Sequence, residues 1–173
     1  MKTPMNVFNT VMKKKKKNRK GFSLVELIVV LVIMAILAAA LVPTLIGYIK
    51  QTKQSNAKNE AAACVSAAQT MASSAYANGD GKYYDQSNAG TPLQVLTGTT
   101  LDEASNFTDT AKKDRDPVIT AIEKLAEVNT AGGSITSVTI SGGVVTALTY
   151  TDKSGTVVNY ASSGANKGYT IGG

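Results

Sequence analysis

The segment from Lys13 to Pro43, KKKKKNRKGFSLVELIVVLVIMAILAAALVP, joins a lysine-rich leader to an apolar run of membrane length. Between Phe22 and Val42 the only charged residue is Glu26, and Ser23 is the only other polar one. A helix over this run, at 1.5 Å per residue, matches a hydrocarbon slab of about 30 Å. The run therefore predicts a helix that can span a bilayer. Because a carboxylate in hydrocarbon is costly, Glu26 is expected to have a function.

The net charge of the 173-residue chain, +6, is concentrated in the leader. Eight of the 18 lysines and arginines precede Phe22, whereas none of the 12 acidic residues does, so the remainder is slightly acidic. This distribution argues against a nucleic-acid-binding protein. The lysines before the apolar run, and their near absence directly after it, place the C-terminal portion outside the cytoplasm.

Several chemistries are excluded by composition. The chain has no histidine or tryptophan, and Cys64 is its single cysteine, so Ser-His-Asp triads, histidine metal sites and intrachain disulfides are ruled out. We interpret Cys64 as a small buried helix residue. Asn78, Asp80 and Asp85 loosely resemble the spacing of a calcium loop but lack its distal glutamate. We therefore predict no enzymatic activity, cofactor or metal.

The helical pattern continues beyond the apolar run. It predicts one helix over residues 22–77, ended by Asn78-Gly79, with residues 22–42 as its transmembrane segment. Pro43 predicts a kink or a short unwound segment around residues 39–43, and the alternative is a helix boundary at the membrane face. The outer half carries a stripe of mostly small residues on one face: Ala57, Ala61, Cys64, Ala68, Met71 and Ala75.

Residues 78–173 are expected to form a globular head outside the membrane. The first part, residues 78–114, is a polar loop with one short apolar turn. An amphipathic helix follows at 117–128, with Asp116 as N-cap and Pro117 in the first helical position.

The period changes to that of strands over residues 134–160. SITSVTI, VVTALTY and TVVNY are separated by short glycine-containing turns, which predicts a three-stranded antiparallel meander packed on the outer half of the long helix. The tail, 161–173, can add an edge strand at 169–171. Alternation predicts three core residues on the second strand: Val144, Leu148 and Tyr150. The predicted fold class is α+β.

The stretch KGFSLVELIVVLVIMAILAAALVP resembles the N-terminus of type IV pilins and pseudopilins. The resemblance implies that a prepilin peptidase cuts between Gly21 and Phe22, which removes residues 1–21 as a leader, and methylates the new amine. The segment YANGDGKYY, residues 76–84, also looks like the pilin helix-to-loop transition. Ala35 stands where many members have glycine, which makes unwinding there less expected.

The resemblance also implies assembly residues. Glu26 is expected to pair with the Phe22 amine of a neighbouring subunit, and Leu24, Leu27 and Pro43 are expected to take part in helix packing. Two alternatives stay open. Glu26 can reach the headgroups or interact with the helix dipole, or it can pair with the Phe22 amine of its own chain.

The preferred function is a structural subunit of a type IV pilus, a membrane precursor that becomes an extracellular filament serving adhesion, motility or related roles. Its expected partners are further copies, the prepilin peptidase, the membrane and the pilus assembly platform. The lack of a second cysteine favours a Gram-positive major pilin, because many Gram-negative pilins carry a C-terminal disulfide. Alternatives are a pseudopilin of a secretion or competence machine, a membrane-anchored surface protein, or a secreted protein cleaved after Ala38-Ala39-Ala40 to begin at Leu41.

Overall fold

The computed structural model describes residues 21–85, 91–98, 100–109, 115–128 and 132–172. These residues form an α+β fold, as predicted. The chain divides into two compact units, one up to Ile46 and one from Gly47 onward. Most of the predicted leader lies outside the described residues.

Helix α1 spans Leu24–Asn78 and contains Pro43. The α-helix continues through residues 39–43, so the predicted unwound segment is wrong, and so is the alternative of a helix boundary there. Proline removes a single backbone hydrogen bond, and the bonds on either side suffice to carry the helix on. The predicted C-terminal signal is confirmed: Gly79 takes a left-handed φ of 75°, and its N–H donates to the Tyr76 carbonyl.

The outer half of α1 supplies one side of the head core. All buried residues of the helix lie between Ala57 and Ala75, and every member of the predicted stripe is fully buried. These residues belong to the same buried cluster as the sheet residues Val138, Leu148 and Tyr150.

The head contains seven described strands. A two-stranded pair joins β1 Lys82–Tyr83 to β2 Leu93–Gln94. The other five form one antiparallel sheet in chain order: β3 Ser105–Thr108, β4 Ser134–Ser141, β5 Val144–Thr151, β6 Val157–Ala161 and β7 Gly168–Gly172.

The predicted meander, β4 to β6, is confirmed, and so is the edge strand in the tail, β7. Strand β3 was not predicted, because its sequence SNFT is too short to show a period within a polar stretch.

A bulge in β5 overturns one core prediction. Val144 is 49% exposed, whereas Val145 is 1% exposed. The register with β4 shifts because Thr139 pairs with Ala147 while Ile140 pairs with Val145, which leaves one extra residue on β5. Because of this extra residue, the alternation of buried and exposed side chains is reversed between the bulge and the start of β5. The predictions for Leu148 and Tyr150, beyond the bulge, are confirmed.

Helix α2 spans Pro117–Leu125 and starts as predicted. The Asp116 carboxylate accepts a 2.8 Å hydrogen bond from the Val118 N–H, and Pro117 occupies the first turn. The helix ends before the predicted residue 128 because the chain turns at Glu127, which has a positive φ of 58°. Leu125, which follows Ile122 by three residues and was therefore expected on the buried face, is 47% exposed.

Candidate assembly site

The bond between Gly21 and Phe22 lies just before α1, outside regular secondary structure. The Phe22 side chain is 78% exposed, and the space around the Gly21 α-carbon is open. Ala38, Ala39 and Ala40, in contrast, lie within the continuous helix.

Glu26 lies in the first turn of α1, where the positive end of the helix dipole favours a carboxylate. Its side chain is exposed, and no ion pair to it forms within the described residues. In the uncleaved chain the Phe22 nitrogen is a neutral amide, so a positive partner at this position arises only through cleavage.

The helix separates the predicted assembly residues around its circumference. Leu24 and Leu27 lie three residues apart on one side, whereas Glu26 is turned about 200° from Leu24 at 100° per residue. Pro43 lies about 25 Å further along the axis than Glu26. All four residues are exposed. One straight neighbouring helix cannot contact both sides of the first turn.

The large apolar side chains from Phe22 to Ile49 are all at least 47% exposed. By length and composition, α1 is the one described helix that could cross a membrane, with a window of mean hydropathy 3.1 of which none is buried. An apolar surface of this size in water would drive association, so lipid or other chains must cover it.

The head contains a buried ion pair that the sequence reasoning missed. Glu123, 0% exposed, accepts two 2.8 Å hydrogen bonds from the Arg115 guanidinium and one of 2.7 Å from the Ile135 N–H. Arg115 also pairs with Asp109 at 3.3 Å. This network ties α2 to the start of β4. The burial of Glu123 could have been predicted, because Glu123 follows Ile119 by four residues and so lies on the same buried face of the helix.

Two further polar contacts fasten α1 to the sheet. The Tyr150 hydroxyl donates a 2.7 Å hydrogen bond to Glu60, and burial together with this bond raises the pKa of Tyr150. Gln69 donates to the Gly143 carbonyl and accepts from the Val145 N–H, which fixes the bulged end of β5. The position of the head on this helix therefore depends on directional bonds as well as on apolar packing.

Asp80, the residue considered for calcium, is part of a turn. Its carboxylate accepts hydrogen bonds from the Tyr84 hydroxyl at 2.6 Å and from the Lys82 N–H at 2.9 Å. The Tyr84 bond is the main cause of a lowered Asp80 pKa. Within the described residues, no group of three histidine, cysteine or acidic side chains is placed to hold a metal.

We expect Cys64 to be unreactive in the folded protein. Burial, and next the nearby charges of Glu123 and Glu60, raise its pKa from 9.0 to about 12, so the thiolate fraction at pH 8 falls roughly a thousandfold. Alkylation by iodoacetamide at pH 8 should be at least a hundredfold slower in native protein than in urea-unfolded protein. Because the folded pKa is raised, the stability contributed by the neutral thiol is complete below pH 9 and is lost between pH 9 and 12. Labelling at equal rates in the two states would contradict this burial.

Comparison with known proteins identifies the class of this N-terminus. Residues 16–42 match the prokaryotic N-terminal methylation motif. No curated protein and no solved structure gives a significant match. The chain thus combines an N-terminal motif found in type IV pilins and pseudopilins with an α+β fold in which a long helix packs on an antiparallel sheet.

This motif implies processing by a prepilin peptidase, a membrane-embedded precursor and subsequent assembly. The motif is typical of structural, non-enzymatic proteins, in agreement with the prediction that this chain is not an enzyme. The match ends at Val42 and does not extend into the head, so it does not separate pilus subunits from pseudopilins.

Proposed function

We propose that this chain is the structural subunit of a type IV pilus, and specifically a major pilin. The observation that carries the proposal is a methylation motif leading into an apolar half-helix that no described residue covers, while the outer half is packed in the head core. The first half is free to exchange lipid for neighbouring copies. The second half keeps the head folded during that exchange.

We propose the division of the chain that such a subunit requires. Residues 1–21 are a cleaved basic leader, residues 22–77 the long helix with its membrane and assembly segment at 22–42, and residues 78–173 the head. The open position of the Gly21–Phe22 bond favours cleavage there over cleavage after Ala40, within the helix. This difference supports a prepilin over an ordinary secreted protein.

Cleavage would create a methylated cationic amine on Phe22, one helical turn from Glu26. Removing two charges from water costs several kcal/mol each, so in an apolar filament core each charge requires a partner. At 4 Å and an effective dielectric of 20, their attraction is about 4 kcal/mol. We propose that Glu26 pairs with the Phe22 amine of the adjacent subunit and so fixes the axial register.

Leu24 and Leu27 are proposed to contact a different neighbour from the one that Glu26 contacts, because they lie on another side of the helix. Pro43 is proposed to take part further along the helix, where its missing N–H allows a local adjustment on assembly. Each subunit would then be held by several neighbours through its first turn. The single buried cysteine supports a Gram-positive source.

Electron microscopy of surface structures tests the proposal. Filaments sheared from the producing cells should consist mainly of this chain, and antibodies to the head should label them along their whole length. Deletion of the gene should remove them. Long filaments made of another subunit, with this chain at most a minor component, would support the pseudopilin alternative.

A further inference from the structure

The outer edge of β7 carries no neighbouring strand from the described residues. Strand β7, Gly168–Gly172, pairs with β6 on one side, and no strand in the described part of the chain pairs with its other side. Its sequence, GYTIG, has no charge and no proline, and its register with β6 is unbroken over all five residues. Charges, prolines and bulges are the usual means by which a sheet edge avoids pairing. Strand β7 has none of them.

The opposite edge of the sheet differs. In β3, the Ser105 hydroxyl accepts a 3.0 Å hydrogen bond from the Thr97 N–H, so a neighbouring segment runs beside the strand. Asp109 follows β3 directly and is paired with Arg115. A neighbouring segment therefore protects the β3 edge, whereas the charge next to β7, Lys167, lies outside the strand and leaves its five residues uncharged.

The core side of β7 is also incompletely covered. Tyr160 and Tyr169 lie opposite each other, with ring centroids 5.1 Å apart, and Ile171 lies beside them opposite the fully buried Val158. Tyr160, Tyr169 and Ile171 pack against the core but remain half-exposed. One additional strand beside β7 would extend the sheet and complete this apolar face.

We propose that β7 pairs edge to edge with β7 of a second copy of this chain, antiparallel and two-fold symmetric about Thr170. This is the antiparallel register that uses all five residues. It places Gly168 opposite Gly172 of the second copy, Tyr169 opposite Ile171 and Thr170 opposite Thr170. Aromatic to β-branched pairs and Thr–Thr pairs across antiparallel strands are favourable. No charge is buried, and the two-fold interface is self-complementary.

This contact goes beyond the proposed filament. Filament growth joins helices in a repeating, head-to-tail manner, whereas a two-fold contact closes after two copies. The β7 contact is made by heads alone, so it would link the heads of chains that belong to different filaments.

Disulfide trapping tests the register in the full chain, solubilised in detergent micelles. The Thr170→Cys variant, oxidised with copper phenanthroline, should form dimers because paired β-carbons across the interface lie about 5 Å apart. The matched control is Asn159→Cys, an exposed residue of β6 that pairs with Thr170. Its two copies would be three strand spacings apart, about 14 Å. We expect dimerisation of Thr170→Cys to be at least tenfold faster, and equal rates would overturn the proposal.

A second measurement does not depend on an introduced thiol. Analytical ultracentrifugation of the wild-type chain in the same micelles should show a dimer in the high micromolar range. Thr170→Lys places two like charges opposite each other at an exposed position that is not needed for folding. We expect this variant to be monomeric with an unchanged circular dichroism spectrum. A wild-type monomer at every concentration, or a Thr170→Lys dimer as stable as wild type, would refute edge pairing.

Discussion

Replacing Glu26 by glutamine should leave a processed, membrane-inserted protein that forms at least tenfold fewer filaments. The substitution keeps the size of the side chain and removes its charge. In the proposed pairing, it leaves the Phe22 amine of the neighbouring subunit without a partner in an apolar core. The attraction lost, about 4 kcal/mol at 4 Å and a dielectric of 20, corresponds to nearly three orders of magnitude in affinity. Because glutamine is cheaper to desolvate than glutamate, the net effect is smaller.

The measurement has three parts: leader removal by intact mass, insertion by membrane fractionation, and sheared filaments by immunoblot. Val25→Leu is the matched control, since it changes the adjacent residue in the same turn without changing charge, and it should assemble as wild type. If the Glu26→Gln variant is processed and polymerises at the wild-type level, the proposed pairing between subunits is wrong. The helix-dipole explanation of Glu26 would then be preferred.

Replacing Glu123 by alanine should lower the free energy of unfolding of the head by about 2–4 kcal/mol. The variant removes a side chain with 0% exposure, leaves the Ile135 N–H without its acceptor, and takes two 2.8 Å bonds from the Arg115 guanidinium. The unsatisfied N–H accounts for about 1–3 kcal/mol. Arg115 contributes less than a fully buried charge would, because it is 25% exposed and stays paired with Asp109. A domain of ordinary stability, 5–15 kcal/mol, would lose a large part of it.

Lys124→Ala is the control for this experiment. It introduces the same residue one position further in α2, where the side chain is exposed, and should change stability by less than about 1 kcal/mol. Urea unfolding of both variants, followed by circular dichroism in detergent, gives the comparison. If Glu123→Ala is as stable as Lys124→Ala, the network with Arg115 does not hold α2 to the sheet.

The elements that could be predicted from sequence are those with a long, regular period. The outer half of α1 shows its buried face through spacings of three and four, and the short turns between β4, β5 and β6 leave antiparallel pairing as the natural arrangement. Val144 could not be predicted, because the bulge in β5 depends on pairing with β4 and on the contacts of Gln69. Strand β3 could not be predicted, because it gains its hydrogen bonds from a strand some thirty residues away.

The residues of the candidate assembly site could also be predicted only where their signal is local in the sequence. Gly21, Phe22 and Glu26 carry their signal locally, in a leader and apolar run that are specific as a pattern. The contact proposed for Phe22 and Glu26 is with other copies, and such a contact leaves no periodic pattern in the sequence of one chain. The same holds for a contact within the chain. Arg115, the partner of Glu123, lies in a polar stretch that the sequence pattern assigns to the solvent-exposed surface.

The most direct test of the account is the mass of the N-terminal peptide of the protein recovered from the cell surface. The account predicts a peptide that begins at Phe22, carries one methyl group on its amine, and comes from assembled filaments. A soluble chain beginning at Leu41, or ordered filaments of chains that retain Gly21 and the lysines before it, would contradict it.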